Sequence, residues 1–168
     1  MNNTPALLDK VKLTEITKQY VSGFIDGEGS FLVSFSIREN ISLGVEARPS
    51  FTVSQHKRSL IVLKELKKFF DCGTIRFNKS DDTYKYEVRS LHDLVQKITP
   101  HFIGNPLRTS KWKDFEIFRK ICVLMKTKQH RTANGLKKII LLAYRMNNLG
   151  SRKHQKTVLL KVLKKMKV

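Results

Sequence analysis

Tyr20-Val-Ser-Gly-Phe-Ile-Asp-Gly-Glu-Gly-Ser30 is the stretch on which the fold turns. Working backward, Leu13, Ile16, Tyr20 and Phe24 recur at helical spacing, which predicts a helix over roughly 13–27. Gly27 and Gly29 end it. Asp26 and Glu28 then crowd the C-terminus of that helix, where the macrodipole is negative and carboxylates are disfavoured. A bound cation would reverse the penalty. Gly23 and Gly27, four apart, strip one stripe of the helix of side chains at a cost of about 0.5–1 kcal/mol each against alanine. The compensation expected is a second helix packed at very short range. Taken alone, the glycine pair is a weak signal, and Gly-Glu-Gly also suits a plain helix cap.

Working forward, Ser30 to Arg38 alternates, with Phe31, Val33, Phe35 and Ile37 on one face. After a turn over Asn40 to Gly44, Val45 to His56 alternates again, with Phe51 and Val53 inward. Ser59 can cap a helix reaching about Phe70. Gly73 to Asn78 and Thr83 to Arg89 form a second hairpin around Lys79 to Asp82. Ser90 with Asp93 resembles a capping box, opening a short helix that ends before Pro100. Further helices are expected near 109–126, 132–147 and 156–166. The order is α-β-β-α-β-β-α with helices behind, an α+β class. Two hairpins in one antiparallel sheet bury one face under helices and leave the other free. That free face carries Ser34, Ser36, Arg38, Arg48, Ser50, Thr52, Arg76, Asn78, Lys85, Glu87 and Arg89. It is either an ordinary solvated sheet face or a surface whose side chains read base edges in a DNA groove.

Charge favours the second. The 168 residues carry 33 Lys plus Arg against 14 Asp plus Glu, a formal charge of +19. Fifteen of those basic residues, Lys137 and Lys138 among them, follow Glu116, and no carboxylate does. Such a balance asks for a polyanion, nucleic acid before an acidic membrane surface. The final stretch from Lys161 suits a solvated tail equally well. No apolar run approaches the roughly 18 residues of a membrane span. A signal peptide is not expected either, because Met1 to Lys12 lacks an apolar core. Cys72 and Cys122 lie far apart, without a zinc or disulfide pattern.

Val21-Ser-Gly-Phe-Ile-Asp-Gly-Glu-Gly29 resembles, with conservative changes, the nine-residue signature of the LAGLIDADG homing endonucleases. The resemblance extends along the chain. Phe51 to Gln55 is similar to that family's second strand, Leu107 to Phe118 to its basic helix start, and His130 to Asn148 to its C-terminal helices. It implies one endonuclease domain over 1–168, with an N-terminal arm (1–12), a motif helix (13–29) and a basic C-terminal helix (150–168). The implied fold is αββαββα, an antiparallel saddle with helices on one face.

The implied activity is site-specific cutting of double-stranded DNA for intron homing, one phosphodiester per strand across the minor groove of a long pseudo-palindromic target, leaving 3′ overhangs. Glu28 would bind divalent metal beside Gly27, Gln55 would orient water or metal, and Asp26 would be a structural residue at the helix end. Lys111 is the first choice for the active-site lysine and Lys113 the second. The cofactor implied is Mg²⁺, with Mn²⁺ substituting and Ca²⁺ supporting binding without cleavage. One motif per chain implies a homodimer packed through Ser22, Gly23 and Gly27. A maturase role on intron RNA is compatible but not expected. No membrane partner is expected, and the expected location is intracellular: mitochondrion or chloroplast in a eukaryote, cytoplasm in a prokaryote.

Overall fold

Thr17 sets the first boundary. Its side chain accepts from the Tyr20 N–H at 3.1 Å, and α1 runs over Lys18–Glu28. The helix therefore starts later than the apolar spacing predicts, because a capped threonine satisfies an orphan donor of the first turn. The computed structural model describes residues 16–147 and 152–165. The expected arm over 1–12 lies outside the described residues, as do the first and last residues of the expected C-terminal helix.

Gly29 follows α1 without a loop and opens β1 (Gly29–Ile37). A Cβ on Gly29 would stand 2.5 Å from the Ile25 side chain and 2.9 Å from its carbonyl, so the motif's last glycine permits a close helix-to-strand junction. β1 pairs with β2 (Val45–His56), whose Gln55 ends up beside α1. A 3₁₀ turn at Lys57–Ser59 leads into α2 (Leu60–Phe70). Ser59 occupies the cap position but its side chain makes no capping bond, since the preceding turn already supplies the chain reversal. The second hairpin is β3 (Thr74–Asn78) and β4 (Thr83–Val88). The four strands are antiparallel in the order β1-β2-β4-β3.

Ser90 caps the next helix by accepting from the Asp93 N–H at 3.2 Å. That helix does not stop before Pro100. It passes from α3 (Leu91–Asp93) through a π turn over Leu94–Ile98 into α4 (Thr99–Gly104). In the wider turn the Thr99 N–H and hydroxyl both reach the Leu94 carbonyl, the hydroxyl at 2.7 Å. Pro100 then falls in the first turn of α4, directly after the wide turn. α5 (Lys111–Lys126), α6 (Ala133–Ala143) and α7 (Lys156–Lys165) complete the chain.

The core sits between the sheet's apolar face and the helices. Phe31 is its centre, with ring centroids 5.3–5.5 Å from Phe51, Phe102, Phe115 and Phe118. No helix among the described residues is long and apolar enough to cross a membrane.

Candidate active site and nucleic-acid interface

The C-terminal end of α1 presents a helix terminus with unpaired carbonyls and two carboxylates. The chain resolves this with residues more than 80 positions away. Lys111, first residue of α5, places Nζ 3.0 Å from the Ile25 carbonyl and 3.2 Å from the Gly27 carbonyl. Asp26 turns the other way, toward the start of α5. Its carboxylate accepts from the Arg108 N–H (2.7 Å), the Thr109 N–H (3.1 Å) and the Thr109 hydroxyl (2.6 Å). Burial pushes the Asp26 carboxyl up, but these donors and the Lys111 charge outweigh it and hold it below its ordinary value. Burial pushes Lys111 down, while Asp26, Glu28 and Asp114 oppose the shift. The cation that the crowded helix end calls for is thus partly supplied by the protein itself.

Glu28 remains the exposed carboxylate at this end, and Gln55 Nε2 donates to its Oε2 at 3.0 Å. Glu28, Gln55 and Lys111, drawn from a helix end, a strand end and a helix start, therefore converge. Lys113 is exposed on α5, two residues round from Lys111. The Gly27 carbonyl, expected beside a metal, has the Lys111 ammonium as its partner instead. A hard divalent ion still fits the donors left: an exposed carboxylate, an amide oxygen and no competing thiol or imidazole cluster. Among the described residues no group of three or more His, Cys, Asp or Glu could hold a metal.

Gly23 and Gly27 lie on the open side of α1, where an added Cβ would meet nothing within 4 Å in the same chain. Tyr20, 48% exposed, stacks on Phe24 along that side, ring centroids 6.0 Å apart. Ser22 does not belong there. It is buried against α4: its hydroxyl donates to the Asn105 carbonyl at 2.8 Å and lies 3.2 Å from His101 Nε2. The expectation that it lines an interface between chains is corrected, because position 22 falls on the face of α1 that Val21 and Ile25 also bury.

His101 in turn packs edge-on against Phe69, Phe70 and Phe102. Burial and nearby Lys18 push its pKa down from 6.5 to about 4. The unfolded chain takes up this proton near pH 6.5 and the folded chain resists it, so the contribution is full above 6.5 and lost as pH falls toward 4. His130, also lowered by burial, acts with the same sign. The urea midpoint should therefore drop between pH 7 and 5, and His101→Gln should flatten that drop. An unchanged drop in the variant would assign the slope to other groups.

The outward row of the sheet is as expected in position. Register places Ser34 opposite Arg48, Thr52 opposite Glu87, Arg76 opposite Lys85 and Asn78 opposite Thr83, all on the face away from the core. Ser36, Arg38 and Arg89 extend it. Three members are not free to read bases: Ser50, Thr52 and Glu87 are buried, at 8%, 5% and 5% exposure. They sit low on the inner strands, overhung by longer neighbours. Lys137 and Lys138 are exposed on α6, outside the row.

Residues 21–122 match the family described as LAGLIDADG endonuclease. The chain belongs to that family. It is 32% identical to a probable intron-encoded endonuclease 2 of Neurospora crassa, over 84% of this chain and 30% of that protein. It spans less than a third of the length of this and the next fungal relatives. The crystal structure of the homing endonuclease I-TnaI superposes with a TM-score of 0.79 at 36% identity, covering 91% of this chain and 99% of the other. I-SmaMI, solved with an uncleaved DNA target and calcium ions, gives 0.78 at 34%, covering 82% of this chain and 47% of the other.

Reading the residues in sequence missed the Arg108–Thr109 cradle under Asp26 and the Ser22–His101 buttress. The first had a usable signal, the polar run before a helix start. Lys111 was also separable from Lys113, since it lies four residues before buried Phe115 and therefore shares its helix face.

Proposed function

We propose that this chain is a site-specific DNA endonuclease that acts as a homodimer and cuts each strand once. The observation that carries the proposal is the convergence of Glu28, Gln55 and Lys111 at the end of a helix whose other side is a bare glycine stripe. A single Glu28 is one carboxylate, and two cuts need two. Packing two α1 helices along Gly23 and Gly27 brings the second Glu28 beside the first. The coverage of I-SmaMI supports this, since nearly half of that chain corresponds to one unit of this size.

Each group has a task. The two Glu28 carboxylates would hold Mg²⁺, with Mn²⁺ able to replace it. When bound, the ion supplies charge stabilisation and activation of water at the scissile phosphate. Gln55, with its amide 3.0 Å from Glu28, orients the attacking water and keeps the carboxylate aimed. Lys111, partly buried at the helix end, offsets charge that develops on the phosphate. Ca²⁺, with looser coordination, supports binding without turnover, in keeping with the calcium complex of I-SmaMI.

The outward sheet row, led by Arg38, Arg48, Arg76, Lys85 and Arg89, lies along the major groove of each half-site. Lys137 and Lys138 contribute charge rather than reading. A twofold dimer implies a pseudo-palindromic target. With the two Glu28 groups beside the axis, the cuts straddle the minor groove and leave 3′ overhangs. The natural substrate is the sequence made by joining the DNA on either side of the gene. Incubating that duplex with protein and Mg²⁺ should give breaks in both strands, and end sequencing should show 3′ extensions. An uncut duplex, or nicks in one strand alone, would overturn the proposal.

A further inference from the structure

The four strands carry two carboxylates, Glu46 and Glu87, and both stand on the outward face with cations around them. Glu87 lies on the inner strand β4. Its Oε2 takes Arg76 Nη2 at 2.7 Å and Arg89 Nε at 3.0 Å, and its Oε1 is 3.7 Å from Lys85 Nζ. The carboxylate is sunk to 5% exposure, while the side chains of Arg76 and Arg89 rise above it at 63% and 60%. Glu46 holds Arg48 by two bonds, 3.0 and 2.8 Å, and Arg38 at 2.7 Å.

On a surface meant only to grip phosphates, both carboxylates are counterproductive. They repel the duplex and neutralise cations that would release counterions. A sunken carboxylate also needs good partners to exist at all. What it does supply is direction. A guanidinium has five N–H donors in a rigid fork. One bonded below through Nη2 or Nε is fixed in place and keeps its other donors pointing outward, as a bidentate contact to guanine requires. An untethered guanidinium swings to the nearest phosphate instead.

We infer that Glu87, and Glu46 likewise at the other end of the sheet, are positioning residues that lower overall affinity for DNA and raise sequence discrimination. The inference rests on the endonuclease reading above. It predicts effects of opposite sign from one substitution. Glu87→Gln frees a cation, so binding to unrelated duplex at 0.1 M salt should rise roughly tenfold and the salt slope steepen by about one unit. Discrimination at the base pairs under Arg76 and Arg89 should meanwhile fall roughly tenfold.

The experiment is selection of bound duplexes from a random pool in Ca²⁺, with wild type, Glu87→Gln, Glu46→Gln and Arg76→Ala, each checked by thermal melting. Support is a Glu87→Gln preference that flattens where the Arg76→Ala preference does, together with tighter non-specific binding. Weaker binding to every sequence, with the preference intact, would make Glu87 a structural residue only and overturn the inference. Loss of a cytosine preference alone, with non-specific binding unchanged, would make Glu87 a base reader and overturn it too. Glu46→Gln carries the same two signs at other base pairs and decides the matter if Glu87→Gln does not fold. A wild-type chain that enriches no sequence would overturn the endonuclease reading itself.

Discussion

Glu28→Gln should abolish cleavage while leaving DNA binding nearly intact. The amide keeps the shape of the side chain and an oxygen that can still accept from Gln55, so the local fold has no reason to change. What disappears is the charge that would hold the cation. Charge stabilisation at a scissile phosphate is worth several kcal/mol, so the single-turnover rate should fall by at least about a hundredfold. Most of the affinity comes from phosphate contacts along the duplex, and the dissociation constant in Ca²⁺ should stay within about threefold of wild type. Plasmid cleavage and gel shift measure the two quantities. A variant that cuts as well as wild type in Mg²⁺ would remove Glu28 from the mechanism.

The second large effect is expected at Gly23, and it separates folding from assembly. Within one chain a Cβ at this position meets nothing within 4 Å. Leucine therefore fits the isolated unit and, as a better helix former, should stabilise it by about 0.5–1 kcal/mol. Between two α1 helices packed as proposed there would be no such room. Overpacking a tight contact costs about 1–3 kcal/mol, and twofold symmetry applies the cost twice. Gly23→Leu should thus melt no lower than wild type, sediment as a monomer at micromolar concentration and fail to cut both strands. A Gly23→Leu protein that remains a cleaving dimer would show that α1 does not form the interface.

Much of this architecture is legible in the residues. Phe31, Val33 and Phe35 alternate with Leu32, Ser34 and Ser36 because one face of β1 meets the core, and period two has no other economical explanation. The hairpins follow from turn residues between such runs, and the site follows from a motif whose carboxylates contradict the helix dipole. Other features depend on packing that one sequence does not display. Ser50 and Thr52 alternate correctly, yet alternation gives the face and not the depth, and on inner strands small residues vanish beneath their neighbours. Ser22 lies within the motif, but its orientation is set by where α4 ends, at Asn105. Pro100 reads as a stop because a π turn leaves no periodic trace. The start of α1 depends on the hydroxyl of Thr17, which competes with apolar spacing further upstream.

The ties between Asp26 and residues 108–109, and between Lys111 and the last carbonyls of α1, also set an order of events during synthesis. The donors lie 82 to 86 positions downstream of the groups they satisfy. A ribosome-bound chain that has released both hairpins but not the start of α5 still has an unfinished motif: carbonyls at Ile25 and Gly27 without their ammonium partner and an untethered carboxylate at the edge of a bare glycine stripe. The contacts that finish it are among the longest loops the fold must close, and long loops close late. In the proposed homodimer, competence to pair with a second chain would thereby be delayed until the start of α5, two hairpins after the motif, has been made. On the homodimer proposal a nascent protein would not pair through a half-built helix, and truncation before residue 108 should yield a chain that neither assembles nor cuts. The proposed nuclease would stay silent until the start of α5 has left the ribosome.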